Sequence, residues 1–241
     1  MASYRRHTPS GCRAPVAGTG SYRYGRALRH ARAVPEAPRN RLVRHPAPNH
    51  LRSLHMTDSV IPLSELTGTY TIDPTHSRIG FFARHAMITK VRGAFNEFTG
   101  TITLDGDNPG KSSAHVSIRA DSIDTRNDQR DGHLRTNDFL DAPNFPTLEF
   151  VSTGAEQLSP STYRLTGNLT IKGVARPISL DFEYTGAARD PYGNLRVGFE
   201  GTQVVSRKDY GMTWNATLET GGVLVSDKVT LEFEVSAVKN P

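Results

Sequence analysis

The chain has 241 residues, a net charge of +5 and one cysteine, Cys12. A single cysteine excludes an internal disulfide framework, and Cys12 lies outside the patterned part of the chain, which is left without a thiol nucleophile. No apolar run approaches the ~20 residues of a membrane-spanning helix.

The charge is unevenly placed. Residues 1–55 hold 11 arginines, 5 histidines and one acid, Glu36, a net +10. Residues 56–241 hold 18 basic and 23 acidic residues, a net −5, with no clustered basic face, which argues against nucleic-acid binding there. The first segment is too poor in large apolar residues to bury a core, so disorder is expected. It has no apolar h-region, so no secretory signal is read and a cytoplasmic location is expected. The change of composition at Met56 reads as a translation start with residues 1–55 an over-long extension, or else those residues are an Arg-rich organelle transit leader or a basic nucleic-acid-binding tail. The remaining 186 residues suffice for one domain.

From Met56 onward the chain reads as β. Leu66 to Asp73 alternates weakly and stops at Pro74. Ser77 to His85 puts Ile79, Phe81 and Ala83 on one face. Ala86 to Lys90 is expected to bend or make a helical turn. Val91 to Asp105 reads as one long strand with Gly93 and Gly100 inside it, the mark of a bulge or a tight bend. A turn at Asp105 to Gly110 leads to a strand from Ser113 to Ile123, with Ala114, Val116, Ile118 and Ala120 on one face.

Asn127 to Arg135 then predicts a short helix, capped by Asn127 and favoured by Asp128 and Asp131 in its first turn. Pro143 and Pro146 end it and hand the chain to a strand from Thr147 to Gly154. Strands follow at Tyr163 to Ile171, Ile178 to Tyr184, Leu195 to Arg207 and Lys228 to Val238. Their apolar faces include Leu165, Leu169, Leu180, Phe182, Phe199, Leu231 and Phe233. Asp209 to Gly222 reads as a loop and carries the sole tryptophan, Trp214.

Short turns without intervening helices imply an antiparallel sheet. Long strands with internal glycines favour closure over a sandwich. The expectation is an all-β fold: one antiparallel eight-stranded barrel, with the short helical segment near one mouth as the gate of any cavity. Eight strands leave an interior that side chains fill or that holds one slender ligand.

Several segments resemble the YceI-like proteins, the polyisoprenoid-binding or lipid-binding YceI-like domain. They are Tyr70 to Ser77, Lys90 to Phe95, Asp131 to Arg135, Asp138 to Asp141, Phe145-Pro146 with Phe150, Gly167 to Val174, Arg207 to Gly211 and Thr213 to Asn215. The resemblance runs in order over residues 66–240. It implies a lipocalin-like barrel with an elongated apolar tunnel that binds isoprenoid chains, including the tails of isoprenoid quinones. Many members are periplasmic, unlike the expectation drawn here from the lack of a signal.

A polyprenyl chain needs an apolar lining and no catalytic motif. The candidate lining is Ile79, Phe81, Phe95, Val116, Ile118, Phe150, Leu165, Leu169, Leu180, Phe182, Phe199, Leu231 and Phe233, each equally at home in a packed core. Phe139 and Phe145 flank the helical gate, and Trp214 either lines the tunnel or pins its loop. Arg135, Asp131, Asp138 and Asp141 read as a network that holds the helix, or else as a grip on a head group. His76, His85, His115 and His133 lack metal-ligand spacing, so no metal and no cofactor are called, only an isoprenoid quinone or polyprenyl lipid as ligand. Three other readings stand: an enzyme using His85, His133, Glu149 or Glu183 on a hydrophobic substrate, a haem- or metal-binding barrel using His85, and an interaction or stress-response module with a solid core. A homodimer is compatible with any of these.

Overall fold

The computed structural model describes residues 61–219 and 221–241. The reading of residues 1–55 as a disordered extension lies outside them. Eleven strands form one antiparallel sheet: β1 (Gly68–Ile72), β2 (Arg78–His85), β3 (Thr89–Phe95), β4 (Phe98–Leu104), β5 (Ser113–Arg119), β6 (Ile123–Asp124), β7 (Thr147–Gln157), β8 (Thr162–Ile171), β9 (Val174–Arg189), β10 (Leu195–Ser206) and β11 (Val225–Lys239). The order β1-β4-β5-β7-β8-β9-β10-β11 returns to β1, so eight strands close a barrel.

The long β11 makes the closure. One edge pairs with β10 along its length. The other edge pairs with β2 over Val225 to Glu234 and with β1 over Ala237 to Lys239. β2 therefore continues the position of β1 upward after the turn at Asp73 to Ser77. It carries β3 and the short β6 as a flap beside the upper half of the ring.

Two expected strands are each broken in two. Val91 to Asp105 is β3 and β4, separated at Asn96-Glu97. Ser113 to Ile123 is β5 and β6, separated by a 3-10 turn at Ala120–Ser122. Both breaks shift the inward set by one residue, from Gly93 and Phe95 to Phe98 and Gly100, and from Ile118 and Ala120 to Ile123. A strand cannot make that shift while it stays paired, because side chains alternate with period two.

The bend expected at Ala86 to Lys90 is a hairpin turn of three residues, Ala86 to Ile88, between the paired His85 and Thr89. Ile88 N–H donates to His85 O at 3.0 Å, and Ala86 and Met87 take φ of 49° and 61°. Both residues are left-handed, the geometry that matches strand twist and that usually selects Asn-Gly.

The helix is α1 (Asp128–Leu134), and the Asn127 side chain caps it by accepting from Arg130 N–H at 2.9 Å. It lies over the upper end of the barrel. Phe139 and Leu140 behind it are buried, at 6% and 7% exposure. The 3-10 segment Leu63–Leu66 and the β4–β5 loop lie at the lower end, where Tyr70 donates its hydroxyl to Leu66 O at 2.8 Å.

Candidate functional site

The inward faces of the strands surround a cavity of about 150 Å³. Twelve of the sixteen residues predicted from sequence line it: Ile79, Phe95, Val116, Ile118, Phe150, Leu165, Leu169, Leu180, Phe182, Phe199, Leu231 and Phe233. They come together because direct pairing puts them on one face: Val116 opposite Phe150, Leu165 opposite Leu180, Phe199 opposite Val235. Sequence reasoning missed Ile72, Ile102, Leu104, Leu148, Ile171, Ile178 and Val235 on the same wall. Each continues an alternation already visible, so the signal was present. Gly80, Ser112 and Ser113 also line the cavity and carry no such signal, whereas Ala114 continues the face already read on β5.

Two features keep the lumen open. The first is the way rings lie on the wall. Phe182 sits directly opposite Gly201 on β10, and a Cβ there would come within 2.8 Å of the Phe182 ring and of Asp181 O. The ring thus folds over the glycine and meets Phe233 at 5.8 Å between centroids. The second is incomplete packing. Ile102, Leu104, Val116, Leu165, Phe182, Phe199, Leu231 and Phe233 all point inward, yet all are only partly buried. In a filled core such residues would be fully buried.

The wall is almost wholly carbon. Ser112 and Ser113, at the junction of the β4–β5 loop with β5, carry its only side-chain oxygens, and no titratable side chain borders it among the described residues. Glu149 lies between the inward Leu148 and Phe150, and Glu183 between Phe182 and Tyr184, so both point outward. His85 ends β2 and His133 sits on α1, and neither borders the cavity.

A second cavity of about 70 Å³ lies under the β4–β5 loop. It shares Leu104, Ser112 and Phe199 with the first, so these three residues stand between the two at the lower end. Its polar side chains are Asp105, Ser112 and the phenols of Tyr163 and Tyr184. Burial raises both phenols above their ordinary pKa, so they stay protonated at neutral pH.

The helical end is closed by side chains. Phe139 and Trp214 pack on His133 with ring centroids 5.1 and 4.7 Å away, and the three rings cap the barrel. Phe145 lies against the turn at Gly173, where a Cβ would approach its ring to 2.6 Å. Phe81 faces Gly93 on β3 and stacks on Phe95 at 5.7 Å, shielded from the lumen. None of these four predicted residues borders the cavity.

Polar groups lock this cap. Asp131, 5% exposed, accepts from Thr125 N–H at 3.0 Å and from the Thr125 hydroxyl. Arg135 donates to the carbonyls of Asp121 and Ile123 at 2.8 and 2.9 Å. Arg207, 3% exposed, donates to the carbonyls of Ser226, Met212 and Trp214 and so holds the β10–β11 loop. Burial lowers its pKa, with Asp227 opposing. Asp131, Arg135 and Asp138 thus hold structure: Asp138 meets His133 Nε2 at 2.9 Å, and Asp141 accepts from the Asn144 amide.

Comparison with known proteins gives the same reading of the fold. The YceI-like domain matches residues 70–237. UPF0312 protein YE1254 of Yersinia enterocolitica is 36% identical over 152 residues, 62% of this chain and 79% of that protein. Among solved structures, the Campylobacter jejuni YCEI protein is 30% identical with a TM-score of 0.57, covering 66% of this chain and 90% of that one. A polyisoprenoid binding domain from Saccharophagus degradans, implicated in plant cell wall breakdown, shares the fold at 15% identity and a TM-score of 0.54, covering 71% and 98%. With this match over most of the described barrel, the chain belongs to the YceI-like domain family.

Proposed function

We propose that the barrel binds the apolar chain of an isoprenoid lipid without transforming it. The observation that carries this is the lumen itself: inward apolar side chains left partly buried around a carbon-lined cavity. The wall offers dispersion and apolar burial and no acid, base or nucleophile. The described polyisoprenoid binding by a protein of the same fold supports the same class of ligand.

The size of the cavity sets how the ligand enters. A carbon-lined cavity of about 150 Å³ is large enough to accept a benzene-sized guest. That is roughly one isoprene unit, whose five carbons give about 4 kcal/mol of gross apolar transfer. Ordering the chain takes back part of it. That room is small for a chain of several units, although the lining runs from Ile171 towards the helical end to Ser112 at the other. A longer chain fits when the Phe182–Phe233 pair turns away from the axis. A polar end, such as a quinone carbonyl or a prenol hydroxyl, lies in the lower cavity beside the neutral phenols of Tyr163 and Tyr184, which can donate to it.

Organic extraction of the purified protein followed by mass spectrometry tests the proposal. An isoprenoid lipid in near-stoichiometric amount is expected. An extract without isoprenoid, together with no uptake of a short prenol from solution, would overturn it.

A further inference from the structure

We propose that the β2–β3 hairpin docks the protein on a negatively charged lipid bilayer. The charge argument comes first. Arg78 to Phe95 contains Arg78, Arg84, Lys90 and Arg92 and no acid, in a region of the chain, residues 56–241, that is net −5. Glu232 on β11 faces two of these cations, at 3.3 Å from Arg78 and 3.5 Å from Arg92. Arg84 and Lys90 have no carboxylate partner among the described residues. They pair directly across the hairpin, an arrangement of like charges that opposes folding.

The tip adds an apolar element. Met87 is 55% exposed and Ile88 is 77% exposed. Met87 and Ala86 hold the left-handed conformations of a turn that a fold alone would give to Asn-Gly. Local preference is thus violated twice at one place, by two facing cations and by a bulky apolar residue in a left-handed turn. Ala86 N–H donates to Leu224 O at 2.7 Å and Arg84 donates to Ile88 O at 3.3 Å, but neither bond calls for a bulky apolar side chain at the tip. Such clustering points to a requirement outside the fold.

The outer face below the tip continues the pattern. Phe82 lies under the Lys90 ammonium at 4.1 Å, and Val204, 51% exposed, follows in the same row through Thr230. An apolar tip with a basic collar suits an anionic bilayer: the ammonium and guanidinium groups meet lipid phosphates while Met87 and Ile88 reach the acyl boundary. The acidic remainder of the domain is repelled by the same surface, so the hairpin sets the orientation. This inference is independent of what the lumen holds.

The test is co-sedimentation of the full-length protein with vesicles of phosphatidylcholine alone or mixed with phosphatidylglycerol. The basic segment at residues 1–55 is common to every protein compared, so differences between variants read the hairpin. Binding is expected to need phosphatidylglycerol and to fall with salt. The double variant Arg84→Gln/Lys90→Gln should weaken it about 25-fold, at about fivefold for each charge lost. Met87→Gly should split two readouts, raising the melting temperature because the turn relaxes and weakening vesicle binding because the tip is lost. Variants that sediment like the parent, or binding indifferent to phosphatidylglycerol, would overturn the proposal. Hairpin-dependent capture of an acidic protein without vesicle binding would also overturn it.

Discussion

Replacing Val116 by phenylalanine asks whether the lumen is where the ligand goes. Val116 is partly buried, faces the cavity from β5, and stands between Gly100 on β4 and Phe150 on β7. The change adds about four carbons, roughly 3 kcal/mol of apolar transfer at ~0.8 kcal/mol per methylene. Overpacking costs of about 1–3 kcal/mol offset this, so stability should stay within about 2 kcal/mol of the parent. The ligand has no such compensation. The added ring takes most of the room for one isoprene unit, worth about 4 kcal/mol gross. Loss of half to all of that is a weakening of about thirtyfold to a thousandfold. Lipid content per mole of protein by mass spectrometry and the melting temperature by calorimetry read the two effects. A variant that melts far lower yet carries as much lipid as the parent would refute the assignment of the lumen as the binding site.

Phe233→Leu should shorten the reach of the ring pair across the axis and shift the extracted lipid toward longer chains, measured by its mass distribution. Arg207→Gln should destabilise by about 3 kcal/mol, because it leaves buried carbonyls of Met212 and Trp214 short of a donor; chemical denaturation reads it. Acid unfolding should report the Asp73–Arg196–Asp190 cluster. The Arg196 guanidinium, then His76, holds Asp73 well below the usual carboxylate range, and the Asn194 side-chain amide, with Arg196 and nearby N–H groups, holds Asp190 at about 2. Both carboxyls bind protons more weakly folded than unfolded. Their contribution is therefore full above about pH 4 and lost as pH falls toward about 2. Arg196→Gln should move the acid midpoint upward in pH, and an unmoved midpoint would show that the cluster contributes nothing.

The barrel was readable because each strand has one wet and one apolar face, and period two states which is which. Leu165, Leu169, Leu180, Phe182 and Phe233 were placed by that rule alone. The two missed breaks were also written in the pattern, as a change of parity between Phe95 and Phe98 and between Ala120 and Ile123. They were passed over because strand-like residues resume within two or three positions of each break, at Phe98 and at Ile123, and composition alone hides the shift. The cap was harder. Phe139, Phe145 and Trp214 lie in irregular segments, where no periodicity tells a lining side chain from a plug. Their roles depend on partners far away in sequence, such as Arg207 with the Trp214 carbonyl and Phe145 with Gly173. Phe81 failed for a different reason. Its face was read correctly, but β2 leaves the ring beside β3, so inward there means toward Phe95.

The loose lumen and the locked cap answer one physical problem. A barrel that keeps room for a guest gives up packing contacts along its axis, and those contacts are what usually make a small β domain stable. Here the deficit is met where no guest passes. At the helical end, buried Asp131 and Arg207 have their hydrogen bonds satisfied by backbone and hydroxyl groups, and three rings close over them. No buried side-chain polar atom is left without a partner among the described residues. Charged groups used this way cost less than unpaired ones, because each buried polar atom has at least one fixed partner. At the other end, the loop from Asp105 to Ser112 covers the second cavity with a short 3-10 turn and side-chain hydrogen bonds. The rings and buried, hydrogen-bonded charges thus place the fold's tightest packing at the helical end, and the looser lumen and the smaller cavity with its two phenols lie below it.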